Sequence, residues 1–397
     1  MTKAIDNAVY IVAAKRTAIG SFQGQFANTE STRLGAEAIK ATVDQVSINP
    51  NDVEEAIIGC VLPAGLGQAP ARQAVLHAGL PLSVRCTTVN KVCGSGMKTV
   101  MMAHDAIKAG SAQLVLAGGM ESMTMAPYLL PKARGGYRMG HAQMLDHMFF
   151  DGLQNPYDGN MMGAFAEQCA DQYSYSREAQ DEFSAESVRR AMQAIESGAF
   201  SDEIAAVEVS NRKSTVTVAQ DEEPPKCDIS KIPNLRPAFR KENGTVTAAN
   251  ASKISDGASM TLLASAEYVA EHNLTPMARI VGHHQFAHEP EWFTTAPVSA
   301  MQQLLDKINW QVSDVDLFEI NEAFAVVTMA AMEELNIPHD KVNVNGGATA
   351  LGHPIGASGN RILVTLIHAL KNRGLKRGVA SLCIGGGEAT AIAIELV

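Results

Sequence analysis

Short apolar runs alternate with longer amphipathic stretches along the first 120 residues of the chain. The runs AVYIVAA, EEAIIGCVL and AQLVLAGG have the length and composition of buried strands. Between them lie helical stretches, the first near residues 32–46, in which apolar positions recur every three or four residues. This alternation predicts an α/β fold.

The pattern changes between about residues 125 and 250. The segments APYLLPKARGGYRMG, LQNPYDGNMMG and DEEPPKCDISKIPNLRP are rich in Pro, Gly, Met and Tyr, which predicts an inserted loop domain. Within it, Ser176 is expected to cap a helix whose first turn carries Glu178, and Gly198 marks its end near residue 197. From about residue 276 the alternation of strands and helices resumes.

Two segments of the chain repeat the same order of elements. Residues 90–119 contain a Gly-rich turn, an amphipathic helix, a strand and a Gly pair, and residues 345–387 contain the same series. We interpret this as a duplication that produces two similar α/β halves. Because Gly-rich turns at strand ends face each other in such an arrangement, we expect the chemistry to lie between the halves.

Composition and charge exclude several classes of function. The chain has 397 residues with 32 basic and 42 acidic side chains, a net charge of −10, which argues against nucleic-acid binding. The N-terminus lacks the order of a signal peptide, and no run approaches the about 18 apolar residues that cross a bilayer. We therefore expect a soluble, cytoplasmic protein without membrane association, in which six scattered cysteines are reduced and unligated.

The first Gly-rich turn, KVCGSGMK, carries Cys93. Gly94 and Gly96 permit a tight turn and a close approach of substrate. The following helix directs free N–H groups at the sulfur, so we expect an acidified, nucleophilic thiol. From this motif alone, an unreactive cysteine in a packed core remains an alternative.

The second Gly-rich turn, GGATALGHPIGASG, carries His353. Pro354 fixes the turn, and Gly356 and Gly359 lead into a helix. A histidine in this position is a candidate general base. A packed, hydrogen-bonded structural histidine is the alternative.

Two further motifs end apolar strands. Cys383 precedes glycines in SLCIGGGEA, and by itself it would be taken for a core residue. In NEAFA, Asn321 and Glu322 follow an apolar run that starts at Val315. An amide and a carboxylate at the end of a buried strand suggest groups that orient a reactant or stabilise an oxyanion.

Together these four motifs resemble those of the thiolases, the acetyl-CoA C-acetyltransferase family. The resemblance covers essentially the whole chain, with weaker support from ARQAVLHAGLP, AGGMESM, LRPAF and TVTAANASKISDGA. It implies the five-layered αβαβα thiolase fold. The first half would comprise residues 1–124 and a return segment at 252–275, the second half residues 276–397, and residues 125–251 would form a loop domain that binds coenzyme A and makes the tetramer contact.

The resemblance also implies a role for each reactive residue. Cys93 would take the acyl group from an acyl-CoA, with His353 as the base that removes its proton. Cys383 would be the second acid/base at the α-carbon of acetyl-CoA. His353 and a water held by Asn321 would stabilise the enolate, and the backbone N–H groups of Cys93 and Gly385 would hold the acyl oxyanion.

The implied reaction is the reversible condensation of two acetyl-CoA to acetoacetyl-CoA and CoA, or thiolysis of a 3-ketoacyl-CoA, with no permanently bound cofactor. By the same resemblance, Ser252 and Ala248 would lie along the pantetheine of coenzyme A. Phe239 and Phe324 would line the apolar part of its tunnel. Lys226 would meet the nucleotide end.

Two positions depart from common acetoacetyl-CoA-forming thiolases. Met161 in NMMG stands where many have a histidine, and Phe293 in EPEWFTTAP stands where several have methionine. A 3-ketoacyl-CoA thiolase of broader chain length or branched substrates, in fatty-acid or amino-acid degradation, is therefore the alternative function. Family resemblance further implies a homotetramer, a dimer of dimers, with its contact in the loop near residues 125–150.

Other classes of protein fit the motifs less well. A decarboxylating or acyl-carrier condensing enzyme would not need a cysteine like Cys383, and a noncatalytic relative would be expected to lack a catalytic residue. A dinucleotide-dependent oxidoreductase would need a phosphate-binding fingerprint that is missing. The only metal-like group, with histidines at 283, 284 and 288 and glutamates at 289 and 291, fits no closed structural site, so we expect no metal.

Overall fold

The computed structural model describes residues 7–210 and 214–397, so the first six residues of the predicted N-terminal half lie outside it. The strands in this part of the chain are β1 (Val9–Thr17), β2 (Gly20–Ser21), β3 (Glu55–Gly59), β4 (Arg85–Val89), β5 (Leu114–Ser122), β6 (Tyr128–Leu129), β7 (Leu145–Asp146), β8 (Ile204–Ala205), β9 (Val207–Ser210), β10 (Thr215–Val218), β11 (Ser255–Ser265), β12 (Ala278–Ala287), β13 (Leu317–Ile320), β14 (Arg377–Ile384) and β15 (Glu388–Leu396). The three strands predicted in the first 120 residues are thereby confirmed as β1, β3 and β5.

The α-helices in the same ranges are α1 (Ser31–Asp44), α2 (Pro70–His77), α3 (Ser95–Lys108), α4 (Met162–Tyr173), α5 (Arg177–Glu196), α6 (Ala266–Glu271), α7 (Ala296–Ile308), α8 (Ala325–Glu334), α9 (Ala348–Leu351) and α10 (Ile355–Arg373). The limits predicted for α5 are confirmed. Ser176 Oγ accepts a hydrogen bond from the Ala179 N–H at 3.1 Å, and Gly198, with φ 73°, follows the helix.

The long strands form a sheet in the order β13-β14-β15-β12-β1-β11-β5-β3-β4. Its two parts repeat one pattern, because β3 and β5 are parallel before the antiparallel series β5-β11-β1, and β13 and β14 are parallel before the antiparallel series β14-β15-β12. The parts join through a short pairing of β1 with β12. With α3 preceding β5 and α10 preceding β14, the predicted duplication is confirmed.

Apolar faces stack the helices and strands into five layers. One core cluster joins α1 and α2 to one face of the first half, and another joins α7 to one face of the second half. The largest cluster lies between the two halves, where α3 and α10 pack on each other and on both sets of strands. The predicted αβαβα fold is therefore confirmed.

Glycines set the distance between the two central helices. A Cβ on Gly359 of α10 would lie 2.5 Å from the Met97 backbone N, and a Cβ on Gly96 of α3 would lie 2.9 Å from the Asn360 backbone N. Neither position has room for a side chain, so the backbones approach closely near the N-terminal ends of both helices. This contact brings the turns before α3 and α10 to the same place.

None of the helices in residues 7–210 and 214–397 combines the length and the apolar run that a membrane crossing requires. All six cysteines, at positions 60, 86, 93, 169, 227 and 383, are outside disulfide bonds.

Candidate active site

A tight turn between β4 and α3 holds Cys93. Val92 has φ 46°, a left-handed conformation, and the turn is fixed by two hydrogen bonds of Ser95. Its Oγ accepts from the Lys91 N–H at 2.8 Å and donates to the Val92 carbonyl at 2.7 Å. A Cβ on Gly94 would lie 2.3 Å from Ile384, so the Cys93 turn packs directly against the end of β14.

The surroundings of the Cys93 thiol act on its pKa in opposite directions. Burial raises the pKa to about 11, although the backbone N–H groups of Gly385 and of Cys93 itself point to the sulfur and lower it. The predicted acidified thiol is therefore wrong for the protein without substrate, because burial outweighs the donors near the helix start. A thiolate at Cys93 needs a base to receive its proton.

His353 lies on the turn before α10. Gly352 precedes it with φ 111°, and a Cβ there would lie 2.2 Å from Ser255 Oγ, so only glycine fits. The His353 backbone N–H donates to the Lys253 carbonyl at 3.0 Å. These contacts fix the backbone from which the imidazole projects.

Ser358 determines which ring nitrogen of His353 carries the proton. The Ser358 hydroxyl donates its single proton to the Pro354 carbonyl at 2.9 Å. In that arrangement the hydroxyl accepts the 2.6 Å hydrogen bond from Nδ1–H of His353, whereas a hydroxyl that donates to Nδ1 would leave the ring proton on Nε2. A neutral ring protonated at Nδ1 carries its lone pair at Nε2.

Nε2 of His353 has the properties of a general base. Burial, and after it the charge of Arg361, lowers the pKa of His353 to about 3, so the ring is neutral at physiological pH. Nε2 is buried and has no hydrogen-bond partner within the described ranges. Because an unpartnered buried polar atom is costly, this one indicates a position that meets a reactant.

Cys383, near the end of β14, lies in an apolar cluster with Phe165, Phe293 and Phe324. Burial raises the pKa of Cys383 well above its usual value, and the charge of Cys93 raises it further. The two cysteines therefore interact, and each is a protonated thiol at neutral pH.

Asn321 directly follows β13, and its backbone N–H donates to the Ser381 carbonyl at 3.0 Å. The side-chain Oδ1 accepts from Arg361 at 3.4 Å, which turns the amide nitrogen away. That nitrogen is buried and, among the residues of the described part, has no acceptor. Asn321 thus presents a free donor, and His353 a free lone pair.

Glu322 orients the His353 loop, as the position of the NEAFA motif suggested. Its carboxylate accepts hydrogen bonds from Ser187 Oγ at 2.8 Å, from Thr349 Oγ1 at 2.6 Å and from Asn343 Nδ2 at 2.8 Å. A Cβ on Gly347 would lie 2.3 Å from this carboxylate. The Gly-rich sequence before His353 therefore makes room for a buried carboxylate.

Glu121 is a supporting residue that the sequence analysis missed. Its carboxylate accepts from the backbone N–H groups of Val61 and Gly356, each at 2.9 Å, and of Leu62 at 3.1 Å. Burial raises the pKa of Glu121 to about 7. The available signal was a charged residue in the buried strand AGGMESM, which implies buried hydrogen-bond donors around it.

A cavity of about 490 Å³ opens over His353 and Ile355. Most residues expected to contact coenzyme A line it, namely Ser252, Ala248, Phe239 and Phe324. Its wall is apolar, and it also includes Met161. This is the shape and lining of a small-molecule site.

Lys226 and Phe293, which were expected to contact coenzyme A or the acyl group, do not line this cavity. Lys226 Nζ is 2.6 Å from the Glu222 carboxylate and 3.2 Å from Ser21 Oγ. Phe293 lies behind the wall, where its ring packs edge-on against Phe165 and Phe324 with centroids 6.4 Å apart. Phe293 therefore acts on the cavity through Phe324.

A larger groove of about 720 Å³ lies between α5 and α8, lined in part by Tyr175, Glu186 and His339. None of the residues that line it belongs to the four reactive motifs. We assign the reactive site to the smaller cavity, because His353, with its buried and unpartnered Nε2, lines it.

The comparison with known families agrees with this geometry. Residues 9–267 match the family described as thiolase, N-terminal domain, and residues 274–396 match thiolase, C-terminal domain. The chain belongs to the thiolase family.

Individual thiolases are similar to the chain over its whole length. The acetyl-CoA acetyltransferase of Chromobacterium violaceum is 50% identical over 389 residues, which cover 98% of this chain and 99% of that protein. The crystal structure of the Bacillus anthracis acetyl-CoA acetyltransferase has a TM-score of 0.96 at 40% identity and covers 99% of this chain and 100% of that one. A thiolase from Ascaris suum, solved in complex with coenzyme A, has a TM-score of 0.93 at 42% identity, with coverages of 98% and 100%.

The raised pKa of Cys93 predicts how the thiol reacts in the absence of substrate. Alkylation of Cys93 by iodoacetamide should accelerate about tenfold per pH unit between about pH 7 and 9, because the thiolate fraction grows that way below the pKa. Peptide-resolved mass spectrometry measures the rate at Cys93 alone, with Cys86 as an internal reference. A rate that levels off near pH 7 would contradict the burial argument and restore the acidified thiol.

Proposed function

We propose that this chain is an acyl-CoA:acetyl-CoA C-acyltransferase that works through an acyl-Cys93 intermediate. It condenses two acetyl-CoA to acetoacetyl-CoA and CoA, and in the reverse direction it cleaves 3-ketoacyl-CoA with CoA. The observation that carries the proposal is the buried, unpartnered Nε2 of His353, two residues before Ile355, against whose cluster Cys93 packs. The Cys93 thiol in turn interacts with that of Cys383, and the Asn321 amide is a second buried group without a partner in the described ranges. Membership of the thiolase family and the acetyl-CoA acetyltransferase name of the Chromobacterium violaceum relative support it.

The first half of thiolysis transfers the acyl group to the enzyme. Nε2 of His353 removes the Cys93 proton as the sulfur attacks the keto carbon of the substrate. The backbone N–H groups of Cys93 and Gly385 stabilise the oxyanion that forms, a role supported by their direction toward the sulfur. When the carbon–carbon bond breaks, Cys383 gives its proton to the departing α-carbon, and acetyl-CoA leaves.

The second half of thiolysis returns one proton to Cys383 and one to Cys93. Incoming CoA attacks the acyl-Cys93 thioester and gives its thiol proton to the Cys383 thiolate. Cys93 then leaves as a thiolate and recovers its proton from His353, so the enzyme is restored. Condensation is this sequence reversed, with the Asn321 amide and a water between it and the thioester oxygen stabilising the enolate.

The cavity accounts for most of the coenzyme A contacts in this proposal. Ser252 and Ala248 would follow the pantetheine, and Phe239 and Phe324 would cover its apolar length. Lys226, whose side chain is about half exposed, would meet the nucleotide end by exchanging Glu222 for a phosphate. Coenzyme A thioesters are substrates here, and no step needs a permanently bound cofactor.

A second candidate function differs from the first in the range of acyl chains that the enzyme accepts. Met161 in the cavity wall is apolar, and it stands where many acetoacetyl-CoA-forming thiolases have a histidine. This favours tolerance of longer or branched acyl chains, as in a 3-ketoacyl-CoA thiolase of fatty-acid or amino-acid degradation. The direction of the reaction in the cell follows the metabolite concentrations.

We also propose the domain division expected from the sequence. Strand β11 (Ser255–Ser265) supports it, because it pairs with β1 and β5 of the first half after the intervening residues 125–251. Six free thiols suit a reducing compartment, in line with the expected cytoplasmic location.

Replacement of the two cysteines tests the reaction directly. Cys93→Ala and Cys383→Ala should each lower kcat for acetoacetyl-CoA thiolysis at least about 1000-fold, since each removes a group that forms or breaks a bond. Cys86→Ala, on β4 ahead of the Cys93 turn, is the matched control and should retain activity. Folded Cys93→Ala with near-normal thiolysis would refute the mechanism.

Rates of thiolysis by the unmodified protein with 3-ketohexanoyl-CoA and 2-methylacetoacetyl-CoA, compared with acetoacetyl-CoA, decide between the two substrate ranges.

Replacement of Ser358 tests the tautomer of His353. Ser358→Ala should lower kcat about 100-fold with KM little changed, because Nε2 is then no longer held as the lone-pair nitrogen. Ser358→Thr keeps the hydroxyl and should restore most of the rate. Equal losses in both variants would indicate a packing role instead.

The proposed homotetramer is supported by apolar side chains in the loop near residues 125–150. This loop carries the hairpin β6–β7, and its exposed large apolar residues include Tyr128, Leu130, Tyr137, Met139 and Met144. Sedimentation equilibrium should give four chains per particle. Substitution of Met139 and Met144 by Ser should yield dimers, and a monomer for the unmodified protein would contradict the proposal.

A further inference from the structure

A group of three polar side chains lies at the far end of α3 from the Cys93 turn. His104 and Asp105 belong to the last turns of α3, and His283 belongs to β12 of the second half. His283 Nε2 is 3.2 Å from His104 Nδ1 and 2.9 Å from Asp105 Oδ1, and His104 Nδ1 is 3.0 Å from the same oxygen. Three potential ligand atoms therefore form a nearly regular triangle.

The protonation of the two imidazoles decides how this triangle is satisfied. Each neutral imidazole nitrogen is either a donor or an acceptor, and the carboxylate oxygen only accepts. If both nitrogens carry protons, both N–H groups donate to the same Asp105 oxygen, at 3.0 and 2.9 Å. If either nitrogen carries a lone pair instead, that lone pair faces the Asp105 oxygen, and a cation above the triangle makes this contact favourable.

We propose that His104, Asp105 and His283 form a binding site for a divalent first-row transition metal ion. Two imidazoles and one carboxylate are ligands that such ions share. With metal–ligand distances of about 2.1 Å, atoms 2.9, 3.0 and 3.2 Å apart subtend angles of roughly 90° at the ion. That is a facial arrangement, which leaves the remaining positions to water. Within residues 7–210 and 214–397, no other group of three such side chains converges this way.

The charges around these three side chains partly favour and partly oppose a bound cation. Burial lowers the pKa of His104 and of His283, which keeps both rings in the neutral, metal-binding form. The C-terminal end of α3 contributes partial negative charge. Three nearby lysines oppose a bound cation by charge repulsion, namely Lys98, Lys108 and Lys307. Two of these ammonium groups donate hydrogen bonds to carbonyl oxygens, Lys307 to that of His283 and Lys108 to that of Asn7.

The sequence analysis grouped His283 with His284 and His288 and expected no metal there. In the structure, His284 contacts Gln303 Oε1 at 2.8 Å, and His288 contacts the Trp292 carbonyl at 2.7 Å. Only His283 reaches α3. The site is separate from the catalytic cavity, since nine residues of helix between Ser95 and His104 span roughly 14 Å. An ion bound there would join the central helix of the first half to a strand of the second.

Nickel binding to the full-length protein tests the proposal. By equilibrium dialysis without chelating buffers or thiols, unmodified protein should bind Ni²⁺ at this site, and His283→Gln and His104→Gln should each weaken its binding at least about tenfold. His284→Gln is the matched control, because the imidazole of this neighbour on β12 contacts Gln303 instead. Asp105→Asn, at a largely exposed side chain, provides a variant that keeps the fold if a histidine replacement does not.

Thermal unfolding gives a readout independent of activity. Ni²⁺ should raise the midpoint of the unmodified protein and of His284→Gln, and it should not raise that of Asp105→Asn or His283→Gln, because an ion that binds only the folded state stabilises it. Co²⁺ spectra without thiolate charge-transfer bands should exclude the cysteines as ligands. Unchanged Ni²⁺ affinity in both Asp105→Asn and His283→Gln, or no binding at millimolar Ni²⁺ by the unmodified protein, would overturn the proposal.

Discussion

The close contact of α3 with α10 is the constraint on which the rest of the structure depends. Gly96 and Gly359 remove the side chains that would separate the helices, so the N-terminal ends of both meet between the two halves. Each helix begins directly after a reactive turn. Duplication supplies two such turns, and helix packing brings the Cys93 turn of one half to the His353 turn of the other.

Burial then sets the protonation state of the site. The same desolvation that raises the pKa of Cys93 and Cys383 lowers that of His353, so the resting site holds two thiols and one neutral imidazole. None of these three reactive groups is charged before substrate arrives. In the proposed mechanism, the Asn321 amide and the N–H groups of Cys93 and Gly385 meet the negative charge that develops during the reaction, which would make them selective for the transition state over the ground state.

Much of this arrangement could be predicted from the sequence, because the strand and helix patterns, the two Gly-rich turns and the resemblance they carry are local. Interactions between segments that are far apart in the sequence could not be predicted. Glu121 reaches the start of α10 across more than two hundred residues, and His104 meets His283 only after both halves pack. The pKa of Cys93 was predicted in the wrong direction because helix position is visible in the sequence, whereas the depth of burial is not.

The central claim is that the acyl group passes through Cys93, and direct observation of the intermediate tests it best. Incubation of Cys383→Ala with acetyl-CoA, followed by rapid acid quenching and peptide mass spectrometry, should show one acetyl group on the peptide containing Cys93. Hydroxylamine should remove it, as expected of a thioester. An acetyl group on any other cysteine, or acetylation that persists at the same level in Cys93→Ala, would contradict the account.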